Sequence, residues 1–284
     1  MTLSLEALHA TSSSLVIDAG TLQTGQTHLM SDKPLIDVDR YLDRIGLSTA
    51  PSVDLDGLAT LQYANLTAVP FENLDVFTGV PVQVGVESSL HKVVEGNRGG
   101  WCFELNGAFS ALLDALGFEV ALLGAAVLLH GPNAVVDHLT LEVSLDEPYL
   151  VDVGFGDSFM QPLRLNQAGP QDGGSGTFEF MASSQGTTLT RHDVEEFPEA
   201  QYRFKRTHRA LHDFNAASEL LQSDKSLHWH QKPIATRLLG HGADRISLTG
   251  TTLTRTVGGV VESTTLDQAE VDVTLRNEFG LTRR

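Results

Sequence analysis

Cys102 is the only cysteine in 284 residues, so the sequence offers one thiol, no internal disulfide and too few sulfurs for a cysteine zinc site. It stands in the stretch Arg98-Gly99-Gly100-Trp101-Cys102-Phe103-Glu104-Leu105-Asn106. The two glycines allow a sharp turn and a close approach of backbone to ligand. An apolar helical pattern begins directly behind them. Leu105, Phe109, Leu112, Leu113 and Leu116 share one face, and Gly117 stops the run. The thiol is thereby placed at a turn feeding a helix N-terminus. There the helix dipole and unpaired amides favour a thiolate and offer donors to a developing oxyanion. Most free cysteines are small buried hydrophobes, but these surroundings favour a nucleophile.

A nucleophilic thiol needs a base, and the base needs a group to orient it. The chain holds 11 histidines, so residue type alone does not select one. His138 opens a strictly alternating stretch, with Leu139, Leu141, Val143 and Leu145 on one face and His138, Thr140, Glu142 and Ser144 on the other. Asp152 is one of several carboxylates, but it sits inside the apolar strand Tyr149-Leu150-Val151-Asp152-Val153. A carboxylate there has to be hydrogen-bonded or paired, and an imidazolium is the obvious partner. A turn at Asp146-Glu147-Pro148 would set Asp152 opposite Glu142, roughly 13 Å along the sheet from His138. Contact between the two therefore requires a bulge, a bend or another pairing.

The elements that must position these residues follow from the surrounding pattern. Asp37 can cap a helix with apolar face Val38, Tyr41, Leu42 and Ile45, and a second helix runs near Leu55 to Ala68. Beyond Gly117 the pattern turns to short strands, including Phe178 to Met181 and Thr187 to Thr190. Gly169 to Gly176 reads as a plain connector. The C-terminal part is mixed: a helix over Leu211 to Leu221, paired strands at Ile246 to Thr249 and Thr252 to Val257, and a last helix over Leu266 to Phe279 weakened by its β-branched residues. The chain thus reads as an α/β multi-domain protein: a flexible N-terminal extension over 1–34, a helical domain with the nucleophile over 35–117, an antiparallel β-barrel over 118–210 and an α/β lid over 211–284. The formal net charge of −17 argues against broad binding to nucleic acid or anionic membranes. No apolar run has the length of a membrane span. One cysteine and no basic n-region of a secretion signal suit a cytoplasmic location.

The stretch Arg98 to Asn106, together with Pro70-Phe71-Glu72-Asn73-Leu74, resembles the signatures of the arylamine N-acetyltransferases, and the likeness extends from about Leu35 to Phe279. The resemblance implies a cysteine-protease-like core in which Cys102 is nucleophile, His138 base and Asp152 orienter. It also implies acetyl-CoA as acyl donor, no metal, and a small aromatic amine or hydrazine as acceptor. Phe71 and Phe155 match the aromatic walls of the acceptor pocket, and Trp101 lies beside the nucleophile. Gly154 and Gly156 are assigned to the cofactor side. Asn65 and Ala126 stand where the family commonly has histidine and arginine. The same three catalytic types would serve an amide synthase fed by a carrier protein or a Cys-His-Asp amide hydrolase, and a homo-oligomer is left open.

Overall fold

Asp37 accepts a hydrogen bond from the Arg40 amide at 3.0 Å and starts α1 (Val38–Arg44), as a side chain of its type should. Asp54 does the same for α2 (Leu55–Ala68) through the Gly57 amide at 2.8 Å. The computed structural model describes residues 36–193 and 198–283, so the expected N-terminal extension lies outside the described residues. After α2 come β1 (Phe71–Glu72), α3 (Leu74–Thr78), α4 (Val86–Leu90), a π-helical turn at His91–Glu95, and α5 (Cys102–Leu116). α5 has the bounds that its periodicity predicts and ends on Gly117, held at φ 99° as a left-handed cap. From Cys102 to Phe109 every residue of α5 is buried. Leu105, Phe109, Leu112 and Leu113 pack with Leu58, Leu61, Leu139 and Leu141 in one core. Each such side chain contributes about 1.5–3 kcal/mol by leaving water.

Eight of the described strands form an antiparallel sheet. They are β2 (Glu119–Val127), β3 (His138–Ser144), β4 (Pro148–Val151), β5 (Leu163–Arg164), β6 (Gln171–Asp172), β7 (Thr177–Ser183), β8 (Gly186–Arg191) and β9 (Glu199–Arg209). Their order is β5-β4-β3-β2-β9-β8-β7-β6. The two edges meet through one side chain. Gln171 of β6 accepts from the Arg164 amide of β5 at 2.8 Å and donates to the Arg164 carbonyl at 3.2 Å, so the sheet curls into a nearly closed barrel. The expected plain connector from Gly169 to Gly176 thus carries β6 and the clasp of the barrel. β9, hidden in the sequence by five basic residues, lies between β2 and β8. Its Arg206 forms a forked pair with Glu142 of β3 at 2.8 and 2.6 Å.

The C-terminal part supplies α6 (Asn215–Ser223), β10 (Ile234–Leu238), β11 (Arg245–Thr249), β12 (Thr252–Val257), β13 (Val260–Thr265) and α7 (Gln268–Phe279). β1 reaches across to β10, giving the sheet order β1-β10-β11-β12-β13. α7 forms despite its β-branched residues, because Val271, Leu275 and Phe279 bury against Ala235, Ile246 and Leu248 and tertiary packing overrides propensity. Among the described residues no helix is long and apolar enough to cross a membrane.

The β3–β4 register differs from the expected one. Ser144 pairs with Pro148 and Leu141 with Val151, so the turn is Leu145-Asp146-Glu147. Glu142 therefore opposes Leu150, not Asp152. Asp152 follows directly after the last paired residue, so it stands near Thr140, two positions from His138. At that diagonal spacing long side chains touch. No bulge is needed.

Candidate active site

Cys102 is the first residue of α5, and its position is set by the segment before it. The Gly100 carbonyl accepts from the Glu72 amide at 2.9 Å, which ties the glycine turn to β1. A Cβ on Gly99 would lie 2.1 Å from the Pro70 carbonyl oxygen, so only glycine fits this crossing. At the helix start, the Glu104 carboxylate accepts from the Trp101 amide at 3.2 Å. Lys92, delivered by the π-helical turn, holds both Glu104 oxygens at 2.9 Å and reaches Asp75 at 2.9 Å. Arg98 joins the same buried cluster through Glu72 at 2.8 Å and Asp75 at 3.2 Å. Burial raises the Glu104 pKa, Lys92 offsets part of that, and the result is about 7.

The three residues proposed from the sequence come together. His138 Nε2 lies 2.6 Å from Asp152 Oδ2, with both side chains buried. With Nε2 engaged by Asp152, Nδ1 is the nitrogen left for the Cys102 thiol, which acts on the same imidazole. The sulfur also lies 3.9 Å from the Asp137 carbonyl oxygen. Burial by itself would lower the His138 pKa, but the charge and hydrogen bond of Asp152, and then the thiol, outweigh it and lift the value to about 10. Burial would raise Asp152, and the His138 charge with hydrogen bonds from His138, Asn106 and the Gly154 amide holds it below the usual carboxylate range. Such an arrangement can take a proton from a thiol and hold the resulting ion pair.

Two side chains that the sequence did not single out complete the support of Asp152. The Tyr202 hydroxyl, from β9, donates to Asp152 Oδ2 at 3.1 Å, and its ring lies 5.1 Å from the His138 ring. Asn106 donates to Asp152 Oδ1 at 2.8 Å and to the Leu139 carbonyl at 2.6 Å, and accepts from the Val153 amide at 3.0 Å. Asn106 had a signal, a polar residue four positions after the cysteine on a buried helix. Tyr202 had none, since nothing local tells which strand will lie beside Asp152.

A cavity of about 420 Å³ opens onto the sulfur. Phe71, Trp101 and Phe155 line it with Cys102 and His138, and Trp229 adds a further aromatic wall. Phe71 lies 6.0 Å from the Trp229 ring, and Phe155 stands edge-on to His138 at 5.3 Å. Gly154 also lines the cavity, packed so closely that a Cβ there would lie 2.8 Å from the Cys102 Cα. Gly156 lies outside the lining; its carbonyl accepts from Arg245. Asn65 and Ala126 lie outside it as well. Asn65 donates to the Tyr41 hydroxyl at 2.9 Å, and Ala126 pairs with Arg203.

Residues 54–283 match the N-acetyltransferase family profile. The arylamine N-acetyltransferase of Escherichia coli (strain K12) is 31% identical over 254 residues, spanning 86% of this chain and 88% of that protein. The chain belongs to the arylamine N-acetyltransferases. Human arylamine N-acetyltransferase 1 is 28% identical over 275 residues, covering 87% of this chain and 94% of its own. The Mycobacterium marinum arylamine N-acetyltransferase in complex with CoA superposes with a TM-score of 0.80 at 31% identity, over 86% of this chain and 92% of that one. The fold is that of these arylamine N-acetyltransferases, and the chain is an enzyme of an acyltransferase family.

Proposed function

We propose that this protein transfers acetyl from acetyl-CoA to the nitrogen of an arylamine, arylhydrazine or hydrazide by a ping-pong route through acetyl-Cys102. The observation that carries this reading is the His138–Asp152 pair at 2.6 Å beside a thiol that faces an aromatic-walled cavity. In the first half-reaction His138 takes the thiol proton, and the Cys102 sulfur attacks the thioester carbonyl. The C–S bond to CoA breaks, CoA leaves as its thiol with a proton from the imidazolium, and the acetyl group stays on Cys102. In the second, the amine attacks the acetyl carbon, gives a proton to His138, and the Cys102 sulfur leaves. Amides at the start of α5 can donate to the developing oxyanion. The first half-reaction exchanges one thioester for another at nearly equal energy, and the second converts a thioester into a more stable amide, so neither needs an energy source. Phe71, Trp101 and Phe155 offer the faces on which an aromatic acceptor can stack.

The test is a panel of arylamines, hydrazines and hydrazides assayed for loss of free amine with and without acetyl-CoA. Acetyl-CoA-dependent consumption is the expected result. Release of aniline from anilides in water without CoA would favour a hydrolase instead.

A further inference from the structure

We propose that the cavity selects its acceptor by charge, taking arylamines and hydrazines whose remaining substituent is neutral or cationic and disfavouring those that carry a carboxylate or sulfonate, with Asp137 as the residue that sets the preference. This rests on the acetyl-transfer reading above and narrows its substrate class.

The residues lining the cavity include two acidic ones, Asp137 and Asp224, and no lysine or arginine. Asp137 is fixed beside the chemistry. It precedes His138, and its carbonyl oxygen lies 3.9 Å from the Cys102 sulfur. Its carboxylate accepts from the Val127 amide at 2.8 Å and from the Asn133 side-chain amide at 2.7 Å. Both partners are neutral, so they hold the charge in place without cancelling it. Burial raises the Asp137 pKa, and the Val127 amide, the neighbouring His138 charge and the Asn133 side chain pull it back in part; the His138 imidazolium is itself engaged by Asp152 at 2.6 Å.

Apart from histidines, the other polar groups of the wall include no cation. His130 and His228 have ring centroids 5.0 Å apart. Burial lowers the His228 pKa, and the charges of His130 and Lys232 lower it further, which disfavours a cation at His228. Arg203 binds the Asn133 carbonyl at 2.7 Å and Gln185 at 2.9 Å and is not among the lining residues. An anionic substituent on a bound ring would therefore enter a partly dry space whose fixed charge has its own sign. At an effective dielectric near 20, two like charges about 7 Å apart disfavour occupancy by roughly fiftyfold, and water and salt reduce that to on the order of tenfold. A neutral substituent has no such penalty, and a cationic one gains.

The experiment compares 4-aminobenzoate, 4-aminobenzamide and (4-aminobenzyl)trimethylammonium as acceptors, read as kcat/KM for loss of the amine with acetyl-CoA saturating. A para carboxylate withdraws electrons less than a para carboxamide, so intrinsic amine reactivity would rank the benzoate above the benzamide. The expected order is the reverse, with the benzoate about tenfold or more below the benzamide and the cation at or above it. Asp137→Asn should close most of that gap, and Asp224→Asn, at the exposed rim, should close less of it. If Asp137→Asn does not fold, raising salt from about 0.05 to about 0.5 M on the wild-type protein has to narrow the gap instead. Benzoate used as well as benzamide, a gap that a folded Asp137→Asn leaves intact, or, where that variant fails to fold, a gap indifferent to salt overturns the proposal. The two readings fail differently. An acetyl-enzyme that forms and discharges equally on all three acceptors defeats only the charge selection, whereas absence of any acetyl-enzyme defeats the transfer reading and this one with it.

Discussion

Asn106 donates its side-chain amide to Asp152 Oδ1 at 2.8 Å from the second turn of the helix that Cys102 begins. Residues four apart share a helix face, so α5 delivers both the thiol and the group that holds the acid. The acid is thus fixed relative to the sulfur by a rigid helix as well as through the imidazole between them. Asn106→Ala should leave Asp152, the Leu139 carbonyl and the Val153 amide each short of a partner. Unsatisfied buried groups cost roughly 1–3 kcal/mol apiece. The urea midpoint should fall by an amount equivalent to several kcal/mol and turnover should drop at least tenfold. A variant as stable and as active as the wild type would show that Asn106 does not hold the acid.

Asp152 should be felt both in reactivity and in stability against pH. Asp152→Asn should cut turnover by orders of magnitude, as loss of an orienting carboxylate does in other triads. Iodoacetamide should then alkylate Cys102 more slowly at neutral pH, because the imidazolium beside the thiol is no longer stabilised. The His138 pKa is raised from 6.5 to about 10, so its contribution to stability is complete below 6.5 and is lost as pH climbs to about 10. The slope over that window is about 1.4 kcal/mol per pH unit. Asp152 is lowered from 3.8, so its contribution is present above that value and is lost as pH falls through the lowered one. The stability advantage of wild type over Asp152→Asn should therefore be largest from about pH 4 to about pH 6.5 and shrink toward pH 10. Urea unfolding at fixed ionic strength measures it, and a difference that stays flat from pH 6 to 10 contradicts the ion pair.

Gly154 is where the chain just after Asp152 passes Cys102. A Cβ there would lie 2.8 Å from the Cys102 Cα, 2.8 Å from Asn106 Nδ2 and 3.1 Å from the Cys102 carbonyl oxygen. Two of these are backbone atoms of the helix start, so no rotamer relieves the clash. Gly154→Ala should cost about 1–3 kcal/mol and lower kcat more than it raises KM, since the sulfur itself is displaced. Gly46→Ala, just past α1 and outside the cavity lining, where a Cβ meets nothing within 4 Å but φ is +78°, should cost only about 1 kcal/mol. Thermal unfolding and steady-state rates on the two variants separate the cases.

The helix that Cys102 begins was the part of the fold most legible in the sequence, because a 3.6-residue apolar period bounded by glycines at both ends fixes both its bounds and its buried face. The β3–β4 turn was misplaced by one residue. Pro148 reads as a turn residue, yet here it opens β4, and moving the turn shifts the register by two and brings Asp152 within reach of His138. β9 was missed because Arg203, Lys205, Arg206, His208 and Arg209 mask the alternation, while Tyr202 and Phe204 bury their rings beside the site. The five-charge cluster around Lys92 was also hidden. Its members come from β1, α3, the π-helical turn, the glycine segment and α5, and no local pattern joins elements that far apart.

The covalent intermediate is the centre of the account. Mixing the protein with acetyl-CoA and no amine should release CoA in a burst approaching one equivalent per site and add about 42 Da to the peptide that carries Cys102. Adding an arylamine should discharge the adduct, and Cys102→Ser should show neither step. Intersecting double-reciprocal lines together with an unmodified Cys102 peptide would mean direct transfer between two bound substrates, and would contradict the assignment of Cys102 as nucleophile.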